Sequence, residues 1–249
     1  MGLVGVCLAI DTSGRSTGVA VVAGDGGAVL AERATAVRRP GGGQPLLPLI
    51  DEALAAAGTG LASVALLACA IGPGGFTGLR VGVATLKGIG LARGVPAVGV
   101  PTLRALAATA AGRQGASPQT WVAALMDARK GEVYVGVHRA DGEGAPLLAD
   151  GALRPPDAAA RLIGLAGEGH ALLLCGDGLP LVAPLCDGVA ALRAARADPT
   201  ALSQVSPAVV ARLALAMAAR GEAVAVDALL PAYHRLSEAE VALHARARA

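Results

Sequence analysis

The 249-residue sequence contains no asparagine, and its aromatic residues are one Trp, one Phe and two Tyr. Without asparagine there is no N-glycosylation acceptor, and glycine, present 35 times, must supply nearly every left-handed turn position. Long apolar runs are also missing: none approaches the roughly 20 residues that a membrane-spanning helix needs, which predicts no membrane segment. Cys7, Cys69, Cys175 and Cys186 form no C-x-x-C pair, and His138, His170, His234 and His244 make no helical pair, so no built-in metal site is expected. The cysteines read as reduced core thiols of a cytosolic protein. Met1 to Ile10 is apolar but has no basic leader or cleavage site and runs into Asp11, as a first strand does and a signal peptide does not.

Acidic residues are absent between Glu52 and Asp127, although the net charge is only +2. The same stretch holds Arg80, Lys87, Arg93, Arg104 and Arg113. If they share a surface, that face suits an acidic partner, a nucleotide or an RNA phosphate. Scattered, solvated arginines are the alternative.

In chain order, Val4–Ile10 is apolar on both alternating faces, as a central strand is, and ends at the polar turn Asp11-Thr12-Ser13-Gly14. Strands over Thr17–Ala23 and Ala28–Ala36 complete an antiparallel meander. Leu46, Leu49, Ile50 and Leu54 are spaced as an amphipathic helix ending at Gly58. Val64–Ile71 reads as a buried strand stopped by Gly72-Pro73-Gly74-Gly75, and a helix follows from Thr77 to about Leu91. On its wheel Gly78, Gly82, Thr85 and Ile89 share one stripe, and Arg80 and Lys87 mark a wet edge. Its four glycines, Gly78, Gly82, Gly88 and Gly90, cost roughly 1 kcal/mol each against alanine, which predicts close backbone approach by another helix, inside the chain or across a subunit contact. A strand at Pro96–Val100 and a helix from Thr102, read as its cap, to Ala111 give the order βββαβαβα.

A boundary is expected near Gly112–Gln119, dividing the chain into 1–112 and 113–249. The second unit reads as strands Trp121–Met126 and Glu132–Arg139, a third near Leu147, a helix from Pro155 to about Leu165, and a short strand Leu172–Cys175 turned by Gly176-Asp177-Gly178. A helix capped by Ser206-Pro207 follows, then an exposed helical tail from Ser237.

Gly14-Arg15-Ser16-Thr17-Gly18 matches G-x-S-x-G, but a strand follows where a nucleophile elbow needs a helix, so a serine hydrolase is disfavoured. Gly72-Pro73-Gly74 lacks the downstream acid of a dinucleotide loop, and no P-loop motif occurs. The hairpin around Asp11-Thr12-Ser13 is of the kind that actin-like and hexokinase-like domains use to hold phosphates. Gly176-Asp177-Gly178 is a second such turn, and an ordinary β-turn is the plain alternative for each.

Four blocks, Leu8–Ser13, Ile71–Gly82, Asp127–Tyr134 and Pro231–Arg235, resemble the successive signatures of the TsaB (YeaZ) family in order across nearly the whole chain. The resemblance implies an α/β, actin-like ATPase or ribonuclease H-like fold, with two domains of mixed sheets flanked by helices. It implies a non-catalytic subunit that binds its paralogue TsaD, which transfers threonylcarbamoyl to adenosine 37 of tRNA. The ATPase TsaE joins the complex, and a homodimer forms without TsaD. The implied partner interface is Gly74, Phe76, Thr77, Gly78, Arg80, Val81, Gly82, Thr85 and Lys87. Candidate nucleotide contacts are Asp11, Thr12, Ser13, Asp127, Arg129, Gly176 and Gly178. No intrinsic cofactor or metal is implied, ATP or ADP belonging at or near the interface shared with TsaD, and tRNA is reached only through the complex. A small-molecule kinase or ATPase of the same fold is the alternative. Two departures stand out: Gly41-Gly42-Gly43-Gln44 where many members have a histidine, and His234 where an aliphatic residue is usual.

Overall fold

The structure, a computed structural model, describes residues 3–36, 46–194 and 204–234. The Gly41-Gly42-Gly43-Gln44 segment, Arg235 and the residues from Ser237 on lie outside the described residues.

The meander forms as β1 (Val6–Asp11), β2 (Ser16–Ala23) and β3 (Val29–Ala36). Helix α1 (Leu46–Ala56) crosses to β4 (Val64–Gly72), which pairs parallel to β1. Helix α2 (Phe76–Arg93) then leads to β5 (Ala97–Pro101), and α3 (Thr102–Gln114) leaves the sheet. The first sheet has the order β3-β2-β1-β4-β5. The second contains β6 (Trp121–Arg129), β7 (Glu132–Arg139), β8 (Leu148–Leu153) and, after α4 (Pro155–Gly167), β9 (Leu172–Cys175). Its order is β8-β7-β6-β9, with β6 parallel to β9 and the other pairs antiparallel. Each sheet is therefore a meander, a helical crossover and a strand parallel to the first. This two-fold use of one topology has no counterpart in sequence periodicity.

Alternation along β1 explains the layers. Val6, Leu8 and Ile10 face α1 and α2, with Val83 and Leu86 in the same core. Cys7 and Ala9 face the opposite way, into a core shared by Leu103 and Leu106 of α3 and by Val210 and Leu213 of α7 (Pro207–Ala219). That core continues to Val122 and Ala124 of β6, so α3 lies between the two sheets, with α7 beside it on the first. Helix α4, the short α5 (Leu179–Val182) and α6 (Ala190–Ala194) cover the far side of the second sheet.

Residue 112 falls inside α3, which packs on strands of both sheets, and the last described segment returns to the first. Helix α7 packs on β1, β2 and β5, and Val224 bridges to Ala97. Ser206 caps α7, its Oγ accepting from Val209 N at 3.4 Å, as expected. Thr102 does not cap α3: it is the first helical residue, and its Oγ1 accepts from Gly72 N at 2.9 Å. The hydroxyl is drawn off by the amide at the end of β4, just past the register shift between Ala70 and Gly72. Ser16 begins β2 and is buried, so the G-x-S-x-G match has no elbow geometry.

All four cysteines are buried and unbridged, and burial pushes the Cys7 and Cys175 thiols up to about 12 and raises Cys69 as well. The native chain should therefore leave an aromatic disulfide reagent unconsumed at pH 8, and the unfolded chain should consume four equivalents. A thiol that reacts in the native protein on mixing would contradict the packing. Among the described residues, no helix is long and apolar enough to cross a membrane.

Candidate functional site

The polar turn after β1 is closed by groups of its own chain. Asp11, Thr12 and Ser13 are all buried. Asp11 Oδ1 accepts from Ser13 N at 3.0 Å and Ser13 Oγ at 2.6 Å, and Thr12 Oγ1 donates to Gly78 O at 2.7 Å. The Ser13 carbonyl accepts from Gly75 N at 2.7 Å. The amide and hydroxyls expected to hold phosphate are thus committed to the turn itself and to the start of α2. Burial raises the Asp11 carboxyl to about 6, against the lowering effect of the two Ser13 hydrogen bonds.

That shift has a measurable sign. The folded state holds the Asp11 proton more tightly than the unfolded chain. The stabilisation is present below the unfolded value near 3.8 and is lost as pH rises through about 6. Two pH units correspond to about 3 kcal/mol at most. Asp11→Asn keeps the oxygen acceptor without the charge, so its stability relative to wild type should rise by about 2–3 kcal/mol between pH 3.5 and 7 in urea titrations. A difference constant over that range would show that Asp11 is not desolvated.

The glycines of α2 divide into two sets. A Cβ on Gly78 would run into the carbonyl of Thr12, one on Gly82 into Thr12 Oγ1, and one on Gly74 would lie 2.6 Å from Ser13 O. Gly90 has the same relation to Val226, whose Cγ2 would be at 2.6 Å. The close approach expected from the glycine cost is therefore made inside the chain, but at Gly74, Gly78 and Gly82 it is the polar turn after β1, and not another helix, that comes close. Gly82 is buried, and Thr85 and Ile89 on the same stripe are half-buried. Gly88 differs, because a Cβ there meets nothing within 4 Å. It belongs to an outward stripe of Thr77, Val81, Ala84, Gly88 and Leu91, all exposed, with Val81 at 40% and Leu91 at 67%. Of the residues expected at a partner surface, Phe76, Thr77, Arg80 and Val81 face outward. Gly78 and Gly82 face the Thr12 turn, and Lys87 donates to Asp227 O at 2.8 Å.

The second turn repeats the first with other residues. Asp127 N donates to Asp177 Oδ1 at 3.0 Å, and Asp127 Oδ1 accepts from Arg129 N at 2.8 Å. Arg129 also pairs with Asp127 through Nη1 at 3.2 Å. Arg129 and Lys130 both have positive φ, so the hairpin turn is made without glycine until Gly131. Gly176 and Gly178 lie against the end of β6, where a Cβ on Gly176 would strike Leu125 O. The start of α3 touches the end of β4 and the second turn: Thr102 holds Gly72, and Leu106, one helical turn on, is 3.2 Å from the Cβ position of Gly176. Among the described residues no group of three His, Cys, Asp or Glu has metal-binding geometry.

Sequence reasoning missed a strap formed by Leu229–His234. Leu229 is buried, and Ala232 N donates to Ile71 O at 2.8 Å. Tyr233 Oη accepts from Arg80 Nε at 2.9 Å, and its ring lies 5.0 Å from that of Phe76. The Arg80 guanidinium sits 3.9 Å over Phe76. A buried pair, His138 Nε2 and Asp150 Oδ1 at 2.6 Å, lies beyond it in the second sheet. Contacts between residues 153 positions apart leave no local signal; the only hint was that both ends fell in family-like blocks.

Residues 43–174 match the family model described as TsaD, tRNA N6-adenosine threonylcarbamoyltransferase. The Escherichia coli K12 protein TsaB, named as a tRNA threonylcarbamoyladenosine biosynthesis protein, is 40% identical over 101 residues, 41% of this chain and 42% of that protein. An uncharacterised Mycobacterium leprae protein is 36% identical over 195 residues, 78% of this chain and 51% of that one. The matched segments thus span about half or less of these relatives' own length. A solved structure of YeaZ from Pseudomonas aeruginosa superposes with a TM-score of 0.75 at 28% identity, covering 92% of this chain and 99% of that one. The chain belongs to the TsaB (YeaZ) family. Its α/β architecture of two mixed sheets flanked by helices is the actin-like fold expected from the sequence. Component A of (R)-2-hydroxyglutaryl-CoA dehydratase from Acidaminococcus fermentans, at 14% identity and TM-score 0.50, shares the fold alone. The departure from the TsaB pattern at His234 has a local reason: its Nδ1 lies 3.2 Å from Asp150 O, so the ring makes a polar contact with the second sheet.

Proposed function

We propose that this chain is a non-catalytic subunit in the formation of threonylcarbamoyladenosine in tRNA, docking on the TsaD enzyme through the outward face of α2. The observation that carries this is the stripe Thr77, Val81, Ala84, Gly88 and Leu91. It is exposed, small or apolar, and includes a mid-helix glycine that no contact inside the described chain requires. A glycine costing about 1 kcal/mol without internal use suits a face that another helix approaches closely. The TsaD family model spans residues 43–174, α1 and α2 included, so the enzyme has a counterpart of this helix and two equivalent faces can meet about a pseudo-two-fold axis. When TsaD is absent, a second copy of this chain takes its place. TsaE joins through the complex, and tRNA is engaged there, at position 37 of tRNAs reading codons that begin with A. Any ATP or ADP belongs to the shared interface, because the Asp11–Ser13 turn is closed by its own contacts.

Reconstitution tests the reading. TsaD and TsaE from the same organism, with threonylcarbamoyl-adenylate and unmodified tRNA, should yield threonylcarbamoyladenosine by nucleoside mass spectrometry only when this chain is present. The chain alone should yield none. Full turnover without it would overturn the assignment, and ATP hydrolysis by the isolated chain that Asp11→Ala removes would favour a kinase or ATPase instead.

A further inference from the structure

We infer that Arg80 is a preorganised receptor for a carboxylate brought by the protein that docks on α2. The inference rests on that docking reading and adds the chemistry at its edge.

The guanidinium is already ordered. It lies 3.9 Å over the Phe76 ring, its Nε donates to Tyr233 Oη at 2.9 Å, and the Tyr233 ring is 5.9 Å away on its other flank. Its two terminal nitrogens make no hydrogen bond or ion pair among the described residues. Other arginines are spent within the chain: Arg129 on Asp127, Arg154 on Asp157, Arg220 on Glu143 and Glu222. A planar guanidinium held by a ring and a phenol, with both Nη groups unpaired among the described residues, matches a carboxylate bidentately and loses little freedom on binding one.

Position then decides the ligand's source. Arg80 directly precedes Val81 and follows Thr77 by three residues, so it borders the outward stripe. A helix laid along that stripe removes water from the guanidinium, and a cation buried without a counter-charge is strongly unfavourable. Among the described residues no carboxylate pairs with Arg80, and the sequence has no acidic residue between Glu52 and Asp127. The incoming surface must supply it. Phe76, Tyr233 and Arg80 are also the residue types that dominate binding energy at protein contacts. An apolar stripe beside the site favours a protein carboxylate over an RNA phosphate.

Binding of TsaD to full-length wild type, Ala84→Arg, Arg80→Gln, Arg80→Lys and Tyr233→Phe, measured by calorimetry at 50 and 300 mM NaCl, separates the possibilities. Arg80 is exposed, so its variants should stay folded and lose only its surface contacts with Phe76 and Tyr233, about 2–4 °C in melting temperature. Arg80→Gln should weaken the complex at least about 30-fold and flatten its salt dependence, and Arg80→Lys should recover only part, lacking the fork. Tyr233→Phe should weaken it a few-fold. If Ala84→Arg abolishes binding but Arg80→Gln does not weaken it, docking on α2 stands and the carboxylate receptor is wrong. If Ala84→Arg binds normally, the docking reading fails and the receptor with it. If Arg80→Gln spares the complex but abolishes its retention of tRNA on a filter, the site takes a nucleic-acid phosphate and the inference is overturned.

Discussion

Alanine in place of Gly78 should cost the fold about 3 kcal/mol or more, whereas alanine in place of Gly88, ten residues along the same helix, should stabilise it by up to about 1 kcal/mol. The added methyl at 78 meets a backbone carbonyl, that of Thr12, which no rotamer change can move. Relief requires α2 to lift from the turn, and lifting it stretches the Thr12 Oγ1 to Gly78 O and Gly75 N to Ser13 O hydrogen bonds together. At 88 the methyl enters open space, and only the backbone entropy of glycine in a helix is recovered. Urea titrations of the two variants give the comparison directly. Equal effects would mean that the glycines are interchangeable and that their placement reflects composition.

The second large effect concerns association. Arginine at Ala84 puts a long cation at the middle of the outward stripe, between Val81 and Gly88 and far from any acid on α2. The isolated chain should fold as wild type does, because Ala84 is exposed. Affinity for TsaD should fall at least about 100-fold, the scale expected when a charge is forced into the centre of a packed contact without a partner. Substitution at Gly82, on the opposite side of the helix, is a poor test of docking. That residue is buried against Thr12 and Cys69, so arginine there would disturb the fold itself.

Much of the fold was legible from local pattern. The β1 to β5 order followed from apolar runs punctuated by glycine and proline, and α2 was expected from Thr77 to Leu91 against an observed Phe76–Arg93. The wheel correctly grouped Gly78 with Gly82 and Thr85, and the glycine cost pointed to close approach, although the approaching element is a turn and not the helix expected. Periodicity says which residues share a face and not what that face meets. The stripe was therefore carried to a partner when it meets the Thr12 turn, 66 residues earlier in the chain. Thr102 was read as a cap because threonine before a helix usually is one, but the Gly72 amide took its hydroxyl. The return of α7 to the first sheet and the seating of Tyr233 on Arg80 are long-range events that no local rule encodes. His234 looked anomalous in sequence and becomes intelligible only beside Asp150.

Light scattering of the chain mixed with TsaD after size exclusion, for wild type and Ala84→Arg, bears most directly on the role assigned to α2. Wild type should elute as a mixed complex with a mass equal to a whole number of each subunit, and Ala84→Arg should elute as a separate, fully folded species beside unbound TsaD. A mixed complex that survives Ala84→Arg at unchanged mass and affinity would contradict docking through this helix.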